Sequence, residues 1–214
     1  MSEDSITTII WDWNGTLLDD INTSIDSINI LLRDRSLPEL TIEKYRDIFD
    51  FPVRKYYEKS GFDFKNEPFE GPAMQFINLY KSRQNEVNLF PDVKPTLSYL
   101  QEKGYRQIIL SAMEDSLLKK MVKDFGINEY FDSIYGIKDD FAKEKVSIGK
   151  KMIEELCIEP KQCLMIGDTL HDAEVSEECG FRCILFSQGH ISKQRLEKTA
   201  LPIIDKIEEL KRIL

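Results

Sequence analysis

Along residues 89–214, short and wholly apolar runs alternate with amphipathic stretches, and no other feature restricts the possible folds so tightly. The runs are "RQIILSA", "FDSIYGI", "QCLMIGD" and "RCILF". They lack the period-two polarity of a half-exposed strand, so they read as strands covered on both faces. Around them lie "VKPTLSYLQEKGY", "DSLLKKMVKDFGI", "KVSIGKKMIEELCI" and "AEVSEECG", each with helical spacing or a closing glycine. Strand and helix in alternation mean parallel βαβ units with helices on both sheet faces. A further β-branched run, "TTIIW", stands near the N-terminus. The expected fold is α/β, a Rossmann-like three-layer parallel sheet, in which ligands gather at the carboxyl ends of the strands.

The first strand is separated from its partners by about seventy residues of a different texture. Ile21, Ile25, Ile28, Leu31 and Leu32 recur at helical spacing, and Pro38 ends that pattern. "TIEKYRDIF" and "PAMQFINLYKSRQ" are two more candidate helices, separated by the polar "KSGFDFKNEPFEGP". No strand is expected between residues 19 and 88. The predicted organisation is an α/β core of residues 1–16 and 86–214, with an inserted α-helical cap over 17–85. Leaving the core just after the first strand, such a cap would hang over the carboxyl ends.

Charge and cysteine usage exclude several classes of partner. The formal net charge is −9, which argues against nucleic acid or an anionic membrane as the main partner. A small anion would bind only where local cations, amides or a metal overcome that field. Cys157, Cys163, Cys179 and Cys183 form no CxxC pair and read as reduced, packed thiols. "MSEDSITTII" lacks a basic leader with a long apolar stretch, and no run of 18 apolar residues occurs. The expected location is cytoplasmic.

The residues ending the strong strands are Asp12, Ser111 and Asp168, with Asp172 four positions further on. Asp and Ser begin helices for ordinary reasons, and a capping role is the plain alternative for each. Two carboxylates converging at one sheet edge, however, repel each other unless a cation lies between them. A hard ion with oxygen ligands, Mg²⁺, suits such a pair. With a phosphate beside the metal, Asp12 could attack phosphorus, a lysine could neutralise charge, and Ser111 with the following amides could hold an oxygen. Gly15 would let the backbone turn closely beneath the group.

"DWNGT", "LSA", a downstream lysine and "GDTLHD", taken in order, resemble the haloacid dehalogenase-like (HAD) hydrolase superfamily. Within it the chain is most similar to the phosphoglycolate-phosphatase type with a helical cap. The resemblance implies a Mg²⁺-dependent phosphatase acting on a small phosphate monoester, phosphoglycolate-like, through an aspartyl-phosphate. It implies Asp12 as nucleophile and metal ligand, the backbone carbonyl of Asn14 and the carboxylate of Asp168 as further ligands, and Asp172 holding metal waters or the lysine. Ser111 and the amide of Ala112 would bind phosphate. Two lysines compete: Lys145, 23 residues before Asp168, and Lys143, 25 residues before it, with Lys145 preferred.

One position departs from that pattern. Family phosphatases usually carry aspartate where Asn14 stands, and its carboxyl protonates the leaving oxygen. Asparagine keeps the backbone carbonyl but exchanges no proton at neutral pH. Losing a general acid/base costs about 10²–10⁴-fold. Three explanations stay open: a leaving group that needs little protonation; another acid, among Asp19, Asp20 or a cap residue; or a catalytically weakened protein that binds a phosphorylated metabolite. Asn14 as a mere turn residue is the plain alternative. Cleavage of a carbon–phosphorus bond would need a buried cap lysine, with Lys44, Lys55, Lys59 and Lys65 as candidates. Trp11 and Trp13 are expected to point away from Asp12's side. His190 could line the pocket but reads first as a surface or locally bonded loop residue, and His171 as a neighbour of the metal at best. Tyr56, Tyr57, Phe62 and Phe64 read as the cap's small core.

Overall fold

A computed structural model describes residues 5–137 and 145–214. In chain order the elements are β1 (Thr8–Trp11), β2 (Leu18–Asp19), α1 (Ile21–Asp34), α2 (Ile42–Ile48), α3 (Val53–Lys59), α4 (Glu70–Ser82) and β3 (Asn88–Leu89). There follow α5 (Val93–Glu102), β4 (Arg106–Glu114), α6 (Asp115–Asp124), β5 (Ser133–Ile137), α7 (Lys145–Leu156) and β6 (Cys163–Gly167). Then come α8 (Leu170–Cys179), β7 (Arg182–Phe186), α9 (Lys193–Leu196), β8 (Ile203–Ile204) and α10 (Leu210–Ile213).

Six strands form one parallel sheet in the order β5–β4–β1–β6–β7–β8. β1 is central, and Ile9, Ile10 and Trp11 are fully buried. Alternation along β1 sends Ile9 and Trp11 into one core cluster and Ile10 into another, so both faces are covered. That accounts for the unbroken apolar runs. Trp11 donates its indole N–H to Gln107, and Trp13 packs against Phe125; both lie in the core, away from the carboxylates.

Between β1 and α5 the chain builds a helical layer with its own apolar cluster, from Ile21 to Phe69. It enters and leaves through β2 and β3, an antiparallel pair of two residues each. Those strands and α3 escape a reading by periodicity, because two residues show no period and the apolar part of "VRKYYEK" is a tyrosine pair. Near residue 50 the layer is clasped to the sheet domain. Arg46 donates to the carbonyls of Gln188 and Gly189, and Arg195 donates to the Phe49 carbonyl and pairs with Asp50. No helix of the described residues is long and apolar enough to cross a membrane. The four cysteines are free thiols, three of them buried.

Candidate active site

Register brings the first two carboxylates together. β1 and β6 are neighbours, with Trp11 opposite Ile166, so Asp12, one residue further on, and Asp168, two residues further on, leave the same end of the sheet on adjacent strands. The Asp12 amide still donates to the Ile166 carbonyl at 2.9 Å. Asp172 reaches the same spot from the first turn of α8. Carboxylate oxygens of Asp12, Asp168 and Asp172, all buried, lie within 4.8 Å of one another. None of Asp12, Ser111 and Asp168 is a helix N-cap, since Asp20, Glu114 and Thr169 hold those positions of α1, α6 and α8; Ser111 lies within β4 rather than at its end, and Asp172 completes the capping box with Thr169.

Lys145, at the start of α7, is only 2% exposed. Its Nζ lies 2.5 Å from Asp12 Oδ1 and 2.6 Å from Asp172 Oδ1. Asp172 is fixed on its other oxygen by the Thr169 amide and hydroxyl. Lys145 thus bridges Asp12 and Asp172, while Asp168 is answered by the charge and the amide of His190. Burial pushes Asp12 up to about 8; repulsion from Asp172 and Asp168 adds to it, and Lys145 offsets it only in part. Burial likewise raises Asp168 to about 6 against the opposing charge of His190. Asp172 goes the other way: burial is outweighed by the charge and hydrogen bond of Lys145.

Two glycines make room for Asp168. Gly15 has φ +71°, and a Cβ there would meet Asp168 Oδ2 at 2.5 Å. A Cβ on Gly189 would collide with Asp168 Cβ. The loop so admitted lets the His190 amide donate to Asp168 Oδ2 at 2.6 Å, while Thr16 donates to Oδ1.

Beside this cluster stands a second buried constellation, centred on Asp20. Asn14 Nδ2 donates both to Asp20 Oδ2 (2.8 Å) and to the Tyr80 hydroxyl (2.8 Å), and Tyr80 donates to the same carboxylate oxygen at 2.7 Å. Asp20 Oδ1 accepts from the Gly15 amide and lies 3.1 Å from His190 Nε2, while Tyr45 lies 2.8 Å from His190 Nδ1. Burial would raise Asp20, but the His190 charge and the Asn14 and Tyr80 hydrogen bonds hold it below the ordinary carboxylate value. Burial would lower His190, and Asp20 instead lifts it to about 9. His190 is thus no surface residue: it is 5% exposed. Its partners are 170 and 145 positions away, so no local pattern announces it. Tyr45→Phe leaves the protonated Nδ1 buried without its partner, and a loss of about 1–3 kcal/mol in denaturant unfolding at pH 7 is expected.

Between the helical layer and the strand ends is a cavity of about 350 Å³. Asp12, Asn14, Ser111, Ala112, Lys145 and Asp172 line its floor, with Asp168 buried beneath. Ser111 sits where the β4–β5 register slips, between Leu110 and Glu114. Its Oγ accepts from the Met113 amide, which leaves the hydroxyl proton to donate. Tyr56, Tyr57 and His171 also line the cavity, whereas Phe62 and Phe64 pack within the helical layer. The two tyrosines are therefore wall as well as core. Asp19 is exposed and absent from the cavity lining; Asp20 is the buried member of the pair. Lys44, Lys55, Lys59 and Lys65 are exposed. Lys143 lies outside the described residues.

A parallel sheet whose carboxyl edge carries a lysine-bound carboxylate cluster, roofed by a helical insert, defines an α/β enzyme with its pocket at the strand ends. The haloacid dehalogenase-like hydrolase family model matches residues 9–186, and the chain belongs to that family. Among relatives, it is 26% identical over 190 residues to a phosphoglycolate phosphatase of Aquifex aeolicus, covering 86% of this chain and 85% of that one. It is 23% identical over 195 residues to a 5'-nucleotidase of Pseudomonas aeruginosa, covering 88% and 86%. Its fold is similar to that of a haloacid dehalogenase-like family hydrolase of Streptococcus pneumoniae, with a TM-score of 0.85, 21% identity and 97% and 98% coverage.

Proposed function

We propose that this protein is a Mg²⁺-dependent phosphatase that hydrolyses small phosphate monoesters through an aspartyl-phosphate on Asp12. One observation carries the reading: three buried carboxylates and one lysine converge at the floor of a cavity that also presents Ser111. Relatives named for hydrolysis of phosphate monoesters, phosphoglycolate phosphatase and 5'-nucleotidase, support the reaction class.

The donor set fits a magnesium ion. It consists of oxygens, and burial together with mutual repulsion raises Asp12 and Asp168 despite Lys145 and His190, a strain that a divalent cation would relieve. Asp12, Asp168 and the Asn14 carbonyl would hold the ion, which when bound neutralises charge on the phosphoryl oxygens. The chain's own groups do the rest. Asp12 presents a carboxylate oxygen to phosphorus, Lys145 holds that carboxylate and offsets incoming charge, and Ser111 with the Ala112 amide steadies a phosphoryl oxygen. Residues 17–85 act as the cap that chooses the leaving group and limits water.

The test is phosphate release from p-nitrophenyl phosphate. Activity is expected with Mg²⁺, to vanish with EDTA and to return with excess Mg²⁺; acid-quenched enzyme should carry a phosphoryl group on Asp12. Mg²⁺ should also raise the melting temperature, since it binds only the folded cluster. Metal-independent turnover, or a phosphoryl group elsewhere, would refute the assignment.

A further inference from the structure

We infer that the substrate's leaving group is an aromatic alcohol, an aryl phosphate bearing no second anion, held by the aromatic wall above the carboxylates. The inference rests on the phosphatase reading and names its substrate class.

The shape of the cavity favours such a ring. Phe49, Phe51, Tyr56, Phe69, Met74 and Ile77 line the side away from Asp12. The rings are mutually packed, with Phe49 and Tyr56 centroids 5.2 Å apart and Phe49 and Phe51 5.7 Å apart. About 350 Å³ exceeds what a phosphate and a two-carbon acid fill, and although Tyr56 and Phe69 are already buried, the half-buried Phe49, Phe51 and Ile77 and the exposed Met74 would stay in contact with water unless covered. An aromatic ring covers it.

Charge favours the same kind of leaving group. A substrate such as phosphoglycolate brings a carboxylate besides the phosphate, and that group needs a cation or several donors. Among the described lining residues there is no arginine. Lys145 is held between Asp12 and Asp172, His190 faces Asp20, and Lys81 is solvent-exposed. His171 Nε2 and the Tyr56 hydroxyl are buried polar atoms without hydrogen-bond partners, enough for one neutral polar substituent on a ring.

Asn14 supplies no proton to a departing alcohol. Both its amide protons are committed, to Asp20 and to Tyr80, so it presents only a carbonyl and no acidic proton. The neighbouring protons point inward too: Tyr80 donates to Asp20, and both His190 nitrogens are engaged. No side chain around position 14 therefore offers the leaving oxygen the proton that an acid there would supply. A phenol ionises near pH 10, whereas an alkanol resembles water, near 15.7. In the first step an Asp12 oxygen bonds to phosphorus, the P–O(aryl) bond breaks, and its electron pair stays on a phenolate. In the second, water adds to phosphorus and the P–O(Asp12) bond breaks. The carboxylate is regenerated, inorganic phosphate leaves, and the water's spare proton passes through solvent to the phenolate. Neither leaving group, phenolate or carboxylate, needs an acid.

The experiment separates ring recognition from leaving-group reactivity. With Mg²⁺, kcat/KM is measured for phenyl phosphate, 1-naphthyl phosphate, 2-phosphoglycolate and glycerol 1-phosphate. Phenylphosphonate and methylphosphonate, which cannot be hydrolysed at oxygen, are compared as inhibitors at a pH where both are dianions. Expected are aryl phosphates favoured over both alkyl phosphates, and phenylphosphonate binding about 10- to 100-fold tighter than methylphosphonate, as burial of one ring requires. Phosphoglycolate turned over best, or equal inhibition by the two phosphonates, overturns the aromatic assignment and leaves the phosphatase standing. No phosphate released from any of the four overturns both.

Discussion

Asp12→Asn is expected to stop turnover, a drop on the order of 10⁴-fold or more, while making the metal-free protein more stable near pH 8. The two effects share one cause. The nucleophile sits in a buried cluster with Asp168 and Asp172, and its carboxyl is displaced from the ordinary 3.8 to about 8. A group whose folded pKa is raised binds more protons folded than unfolded. Stability therefore declines as pH climbs from about 4 to about 8, and stays reduced above that. Asparagine resembles the protonated acid, keeps a carbonyl for Lys145 and has nothing to ionise. Its metal-free stability curve should lack that decline. Mg²⁺ should reverse the order, because the parent gains more from the ion than a variant with one carboxylate fewer. Chemical denaturation at pH 5 and pH 8, with and without Mg²⁺, reads all four quantities. A variant less stable than the parent at pH 8 without metal would show that the Lys145 bond, not carboxylate repulsion, dominates the cluster.

Part of this is legible in the chain itself. Parallel strands buried on both faces must be apolar throughout, so their order and the residues that end them stand out. Asp12 and Asp168 are visible for that reason, Ser111 as the first polar residue of its apolar run although β4 continues to Glu114, Asp172 by its place four residues after Asp168, and Lys145 by the resemblance and its position at a helix start. His190 is not, because a loop residue after a strand carries no sign of its partners. Its burial is decided by Tyr45 in the helical layer and Asp20 at that layer's entrance. Tyr56 and Tyr57 escape in part for a related reason. A tyrosine whose ring forms a wall looks, from its own segment, like one that only fills a core. Asp20 is visible only as a generic acid; its hold on Asn14 depends on α4 delivering Tyr80 to the same oxygen.

That shared oxygen sets the outcome of restoring an acid at position 14. Asn14→Asp alone is expected to gain little activity and to lose stability at neutral pH, because its carboxylate would face Asp20 Oδ2 across the 2.8 Å now spanned by a hydrogen bond. Two such carboxylates share a proton, and that proton lies between them, turned away from the substrate. Exchanging the pair, Asn14→Asp with Asp20→Asn, avoids the conflict by reversing the donors among positions 14, 20 and Tyr80. The amide introduced at position 20 would keep an oxygen for the Gly15 amide and His190, and its nitrogen would donate to the new carboxylate and to Tyr80. The freed Tyr80 hydroxyl would donate to that carboxylate in turn. One of the two oxygens at position 14 then faces the cavity, able to carry a proton to a departing alkoxide. For alkyl phosphates the exchange should raise kcat/KM by about 10²–10⁴-fold over the parent, the usual worth of a general acid. For phenyl phosphate it should change little, since a phenolate leaves unaided. Equal gains in kcat on both substrate types, with kcat/KM unmoved, would place the missing proton in hydrolysis of the aspartyl-phosphate, where the attacking water is the same whatever alcohol has left.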